Sequence, residues 1–471
     1  MKNKLVYKYT GKVLITFAIL LLCPIIISLY FKEPIIPFII PTIISLIIGI
    51  ILNSLKPETK YLYAKDGFLI VAISWILISI LSALPYVLTN NANFIDALFE
   101  SVSGLTTTGA TIFNDVEILS KSILFWRNYT IFIGGMGVLA FVMAIIPLSQ
   151  SDKSMHVLKA EMPGPTVSKL VPSIKKTLFY LFGIYITLTL LETIFLLIGG
   201  LSLYDSVLIS LSTSGTGGFT HFNAGLANIG SYNQWVVTIF MFLFGVNFNL
   251  YFLILMKEIK PIFKSEELKT YFFMCLVAIA FVVANTWHAF DTIGEAVKQA
   301  AFHVSSVTTS TGFAIGDINF YPTSCRFIFL LLMLVSACTG STCGGFKISR
   351  MIICIKSITR DFIKTFKPSS VKIIKFEDKK VDQDTITSVR SYLFLYIIIL
   401  IILTFIISYD GNSLEVTINA AFTTFTNNGL AFDISSFSNF TVFSKISMTI
   451  GMLLGRLEIY PLLILFSKLK K

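Results

Sequence analysis

Charge is what this sequence has least of: Lys, Arg, Asp and Glu make up 13% of its 471 residues, about half the roughly 25% that soluble domains carry. That shortage argues against a chain dissolved in water and for one that lives in lipid. The four histidines (His156, His221, His288, His303) are scattered, and the six cysteines (Cys23, Cys275, Cys325, Cys338, Cys343, Cys354) include no Cys-x-x-Cys pair. Neither set has the spacing of metal ligands or of a disulfide framework. The sequence has no His-Glu-x-x-His motif, facing aspartate pair or Ser/His arrangement at one depth, so a membrane-embedded enzyme would lack a catalytic constellation.

Long uncharged runs are what is there. With a hydrocarbon core ~30 Å thick to cross, the sequence predicts ten spans, at 13–30, 34–55, 67–88, 129–148, 177–201, 235–256, 271–287, 327–346, 392–409 and 446–466. Charge enters only two of them, as Glu192 and as Arg456 with Glu458. Lys2, Lys4, Lys8 and Lys12 precede the first run as in a secretory signal, but the chain continues through Phe31-Lys32-Glu33-Pro34 into a second run without a small-residue cleavage site. These two runs therefore read as an anchored helix pair. Lys and Arg collect at both ends and in loops 56–65, 153–176, 257–269 and 347–390, whereas loops 89–119, 202–234 and 410–440 have none. By the positive-inside rule both termini are expected in the cytoplasm of a multi-pass cell-membrane protein. The net charge of +11 is then a topology signal and gives no support to a nucleic-acid partner.

The Lys-poor loops are too long for turns and too apolar for solvated tails, and they resemble one another. Each runs from an amphipathic stretch through hydroxyl or amide residues to a glycine. The endings are Thr107-Thr108-Gly109-Ala110, Thr216-Gly217-Gly218-Phe219, Thr311-Gly312-Phe313 and Asn428-Gly429-Leu430. Aligned on Gly109, Gly217, Gly312 and Gly429, they define an internal repeat. The pattern predicts an all-α polytopic membrane protein, with an N-terminal helix pair (1–62) and four parallel helix–pore-loop–helix repeats around a central pore. The repeats are 63–155 (loop 94–111), 156–264 (loop 204–220), 265–385 (loop 290–314, broken second helix 339–345) and 386–471 (loop 414–431). Non-helical backbone at membrane depth is tolerated only inside protein or along a wet cavity, and glycine supplies the backbone freedom such a strip needs. Four strips would make a ring of carbonyl oxygens suited to a weakly hydrated monovalent cation. The negative ends of four re-entrant helices would aim at that ring.

At these residues the sequence resembles the Trk/Ktr/HKT superfamily of K⁺ and Na⁺ transporters over nearly its whole length, and within it the Trk-type membrane subunit. Three further segments carry the likeness: Ala160-Glu161-Met162-Pro163-Gly164-Pro165, Gly340-Ser341-Thr342-Cys343-Gly344-Gly345-Phe346-Lys347, and Gly455-Arg456-Leu457-Glu458. The resemblance implies K⁺ uptake through a channel-like pore. Its filter would be Thr107, Thr108, Gly109, Thr216, Gly217, Gly218, Thr311, Gly312, Phe313, Asn428, Gly429 and Leu430. K⁺ itself would sit at Thr108, Gly109, Thr216, Gly217, Thr311, Gly312, Asn428 and Gly429. The resemblance also implies a homodimer with one pore per subunit, a cytosolic NAD- or ATP-sensing regulatory subunit, and no covalent cofactor. One departure is Leu430, where Trk members often have proline. The alternative is a secondary transporter coupling K⁺ or Na⁺ entry to H⁺ or Na⁺.

Thr339, Gly340, Ser341, Thr342, Cys343, Gly344 and Gly345 interrupt an otherwise apolar run. They fit either a helix packed through Gly340 and Gly344 or, as favoured, a broken helix that lines the pore and gates it. Arg456 lies ~15 Å down the last span, where an arginine costs about 2.5–3.5 kcal/mol. It is expected to be a positive barrier below the filter, with burial against carboxylates of a neighbouring repeat as the alternative. Gly134-Gly135-Met136-Gly137 suits close helix packing. The basic stretch 350–380 reads as a cytoplasmic loop or a partner-docking surface, as does the Glu161 loop.

Overall fold

Each repeat turns on one short helix, and the short helices all start alike. Asn93, Ser202, Thr292 or Ser413 accepts the backbone N–H three residues on, and Asp96, Asp205, Glu295 or Glu415 sits in the first turn. The cap satisfies one orphan donor, and the acid complements the positive end of the helix.

The computed structural model describes residues 4–57, 64–135, 174–369, 372–434 and 436–467. The pair α1 (Lys4–Leu20), continued by α2 (Leu22–Tyr30), and α3 (Ile36–Asn53) precedes four units of one design. The first is α4 (Ala64–Leu88), α5 (Phe94–Leu105) and α6 (Lys121–Gly135). The second is α7 (Ile174–Ile198), α8 (Leu203–Gly215), α9 (Ser231–Phe244) and α10 (Phe248–Leu255). The third is α11 (Glu266–Thr286), α12 (Ile293–Thr308), α13 (Thr323–Val335) and α14 (Ile348–Phe366). The fourth is α15 (Gln383–Ile407), α16 (Leu414–Thr426), α17 (Val442–Arg456) and α18 (Tyr460–Ser467). An antiparallel hairpin, β1 (Lys375–Phe376) with β2 (Lys379–Lys380), stands between α14 and α15. The N-terminal pair docks on the first repeat through Glu33, whose carboxylate accepts the N–H groups of Lys121 and Ser122 at 2.9 and 2.8 Å and so caps α6.

Large apolar side chains such as Ile26, Ile194, Phe273 and Phe405 are exposed on the long helices, as expected where the solvent is hydrocarbon. Among the described residues, six unbroken helices are long and apolar enough to cross a membrane, and α9 with α10 forms a seventh, bent by 90°. The sequence predicts uninterrupted spans at 235–256 and 446–466, but the structure breaks them at 245–247 and 457–459, while the 327–346 run, expected to break at 339–345, is non-helical from 336 to 347. Two of the breaks pair with each other. The Phe248 N–H donates to the Gly340 carbonyl and the Cys338 N–H to the Gly245 carbonyl, both at 3.1 Å. Backbone freed in one repeat is thus satisfied by the next, as burial in hydrocarbon demands. The last break turns at Glu458 and Ile459, both left-handed at φ 55° and 67°. Met136 and Gly137, and the segment from Ala160 to Pro165, lie outside the described residues.

Candidate functional site

The short helices also end alike. Thr107, Thr216, Ser310 and Asn427 take left-handed φ values of 57°, 56°, 52° and 57°, and two residues later Gly109, Gly218, Gly312 and Gly429 do so at 79°, 68°, 83° and 73°. Between them, the N–H groups of Thr108, Gly217, Thr311 and Asn428 reach back five residues to the carbonyls of Ser103, Ser212, Ser306 and Thr423, at 2.8, 3.1, 2.8 and 3.1 Å. The repeats are therefore in register on Gly218 and not on Gly217, a one-residue correction to the alignment read from sequence. Ser310 and Asn427, absent from the predicted filter, complete the third and fourth strips. Phe313 and Leu430 follow the glycines and are buried.

These glycines meet in a ring. A methyl group on Gly109 would lie 1.7 Å from the carbonyl oxygen of Gly217, one on Gly218 2.0 Å from Thr311, one on Gly312 2.2 Å from Asn428, and one on Gly429 2.1 Å from Thr108. The contacts run from the first repeat through the second, third and fourth and back to the first. Only glycine fits at all four positions. Asn427 ties the fourth strip to the first, its Nδ2 donating to Thr108 Oγ1 at 2.9 Å.

Directly beneath the ring, residues 336–347 leave the helix and rejoin it, with the N–H groups of Phe346 and Lys347 donating to the carbonyls of Leu334 and Val335 at 3.0 and 2.9 Å. The excursion is not helical, which removes the packed-helix alternative for Gly340 and Gly344. Its Gly344 N–H donates to Ser310 Oγ of the third strip at 2.8 Å. Glu267 accepts the Thr339 N–H at 2.7 Å, and Glu377, at the turn of the hairpin, accepts the Glu267 N–H at 3.1 Å.

Arg456 lies under the same ring, one residue after Gly455, whose added methyl would meet the Phe425 carbonyl at 2.0 Å. Its guanidinium donates to the carbonyls of Thr342 at 2.8 Å, Gly134 at 2.6 Å and Gly135 at 3.0 Å. Arg456 thus joins the fourth repeat to the third and the first, while Glu458 pairs with Arg350. A methyl on Gly134 would stand 1.8 Å from the Leu105 carbonyl, which explains the glycines at the end of α6.

Sequence reading missed a buried ion pair. Arg127 on α6 donates to Glu100 on α5 at 2.8 Å, with the two side chains 1% and 0% exposed. Arg127 also donates to the Thr220 carbonyl at 3.0 Å and lies 4.2 Å from the Phe219 ring centre, so it links the first two repeats. The signal in the sequence was an acid, Glu100, in the middle of the short helix, away from the first turn where Asp96 complements the helix end. In the loops that follow the first two strips, the side-chain amide of Asn223 donates to Asp115 at 2.7 Å and, with the Glu117 N–H, holds that carboxyl below the ordinary aspartate range.

Residues 36–471 match the family model TrkH, described as a cation transport protein. The Trk system potassium uptake protein TrkG of Escherichia coli strain K12 is 32% identical over 466 residues, covering 96% of this chain and 95% of that protein. The Trk system potassium uptake protein TrkH of Halomonas elongata is 28% identical over 479 residues, covering 99% of each. Among solved structures, that of the potassium transporter TrkH from Vibrio parahaemolyticus superposes with a TM-score of 0.88 at 25% identity, over 99% of this chain and 98% of that one.

Proposed function

The chain belongs to the TrkH family of cation transport proteins, and from that premise we propose that it takes K⁺ into the cell through a pore selected by a ring of four carbonyl strips. It is a transporter and not an enzyme. The closed ring of Gly109, Gly218, Gly312 and Gly429 carries this reading. Strips 107–109, 216–218, 310–312 and 427–429 replace the water shell of the ion with carbonyl oxygens. The carboxyl-terminal ends of α5, α8, α12 and α16 add negative potential. The loop from Thr339 to Gly345 closes the path from below, and Arg456 places a positive charge beneath the ring. The repeats are bounded at 63–155, 156–264, 265–385 and 386–471, after the pair at 1–62. Both termini are cytoplasmic, two copies associate with one pore each, and a cytosolic nucleotide-binding subunit sets the gate. The Trk-system names of the relatives support such a subunit.

Growth of a K⁺-uptake-deficient strain at low K⁺, restored by this chain and competed only weakly by Na⁺, is the expected outcome; no rescue refutes the reading. In proteoliposomes, Rb⁺ uptake is expected to follow membrane potential and to ignore imposed pH and Na⁺ gradients. Uptake that requires either gradient would favour the coupled transporter instead, for which the fully buried carboxyl of Glu192 on α7 is a supporting feature.

The gate has its own test. Deleting residues 341–343 shortens the loop and is expected to raise Rb⁺ flux severalfold in the absence of any cytosolic partner. Unchanged flux would mean that the loop does not obstruct the path.

A further inference from the structure

The ring is fourfold, but the bracing of its outgoing N–H groups is twofold. Nine residues before each ring glycine, the short helices present Glu100, Ile209, His303 and Ala420. Only the first and third can accept a hydrogen bond, and both accept the same one. Glu100 takes the N–H of Ile112 at 2.9 Å, and His303 takes the N–H of Ile315 through Nε2 at 3.4 Å. Each donor lies three residues beyond its ring glycine. His303 is 1% exposed, and its Nδ1 stands 2.9 Å from both the Gln299 carbonyl and Tyr321 Oη. With Nε2 as acceptor, Nδ1 carries the proton of a neutral imidazole.

The loops above the ring repeat this twofold pattern in backbone. The N–H of Phe437, eight residues past its ring glycine, donates to the Thr111 carbonyl, and the N–H of Leu226, equally placed, donates to the Ala314 carbonyl, both at 3.0 Å. The acceptors are again in the first and third repeats, which face each other across the ring because the glycine contacts run in chain order.

We propose that Glu100 and His303 are positioning residues of the cation ring: from opposite sides they fix the outgoing backbone of the first and third strips, and this fixed pair sets the spacing of the carbonyl oxygens that distinguishes one cation from another. The proposal rests on the filter reading given above. It separates strips whose outgoing N–H is held by a side chain from the second and fourth, where Ile209 and Ala420 have no polar atom to offer. Thr423 Oγ1 holds the fourth strip through the Leu430 carbonyl at 2.9 Å, as Ser306 Oγ holds the third through the Phe313 carbonyl at 2.7 Å.

His303 is the cleaner of the two to test, because Glu100 is also half of a buried ion pair. Rb⁺ and Na⁺ fluxes through purified wild-type, H303Q, H303N and H303L proteins in proteoliposomes give the readout. A glutamine Oε1 can reach the place of Nε2, whereas the shorter asparagine places its oxygen near Nδ1, so H303Q keeps the brace and H303N loses it. The Rb⁺-over-Na⁺ ratio is expected to fall about tenfold in H303L and H303N, the scale of one buried hydrogen bond, and to stay near wild type in H303Q. Equal ratios in H303N and H303Q overturn the proposal, and that pair decides even where H303L does not fold. A wild-type protein without Rb⁺ preference would instead overturn the filter reading itself.

Discussion

In a K⁺-uptake-deficient strain at low K⁺, G218S is expected to abolish rescue, while G217S supports slower growth. Gly218 holds φ at +68°, and a methyl there would stand 2.0 Å from the Thr311 carbonyl oxygen. A side chain in the left-handed region costs about 1–2 kcal/mol. The overlap adds more, because the obstructing atom is backbone belonging to the neighbouring strip and cannot rotate away. Together about 3 kcal/mol of strain corresponds to roughly a 100-fold loss of Rb⁺ uptake, or to a ring that opens and admits Na⁺. Gly217 has no left-handed φ, and a methyl there meets the side chain of Ile131 at 2.7 Å, which can shift. The equivalent positions in the other repeats carry Thr108, Thr311 and Asn428, so a side chain at this place is compatible with the strip. Rescue by G218S with unchanged Na⁺ competition would rule out the structural register, and a G217S defect deeper than that of G218S would restore the alignment read from sequence.

That one-residue difference shows where sequence reading succeeds and where it stops. The four short helices were legible because an amphipathic stretch closed by hydroxyls or amides and a glycine is a local pattern, and their caps, which that pattern did not include, are local too. Asn93, Ser202, Thr292 and Ser413 each stand just before an acidic first turn, and hydroxyls or amides with glycine close each segment. The register of the second strip was not legible, because Gly217 and Gly218 are adjacent and composition gives no reason to prefer either. Ser310 was missed because serine has no preference for the left-handed region, and Asn427 because the adjacent Asn428 gives the same signal. The breaks in the second helices of repeats two and four left still less trace. Those runs are apolar throughout or nearly so, and the partners that stabilise the break at 245–247 are Cys338 and Gly340, about ninety residues away in a chain that buries backbone polar groups only when they are paired. The Glu100–Arg127 pair was hidden in the same way, one member in a presumed loop and the other just outside a presumed span. Arg456 was recognisable as a buried charge, but its carbonyl acceptors come from two other repeats.

Arg456 should give the second large effect: R456A is expected to raise basal Rb⁺ flux about tenfold in proteoliposomes lacking a cytosolic partner. The guanidinium supplies two things beneath the ring, a positive charge and donors to the carbonyls of Thr342, Gly134 and Gly135. Hydrogen bonds from a charged donor are worth about 1.5–3 kcal/mol each, and Thr342 belongs to the loop proposed to close the path, so losing even one is enough for tenfold. Alanine removes charge and donors together, and lysine separates them. Its ammonium keeps the charge but is a point donor on a flexible stem, unable to span acceptors on the first and third repeats as the planar fork does. R456K is therefore expected to leak nearly as much as R456A, because the bonds to the loop do more to keep it closed than the charge does. An R456K protein as tight as wild type would transfer the effect to the charge, and unchanged flux in R456A would remove Arg456 from both the barrier and the gate. The same variant bears on the ring above. Gly455 presses on the Phe425 carbonyl at the end of the fourth short helix, so a repacked α17 terminus would also disturb the fourth strip and lower the Rb⁺-over-Na⁺ ratio. Higher flux with an unaltered ratio therefore assigns Arg456 to the gate alone.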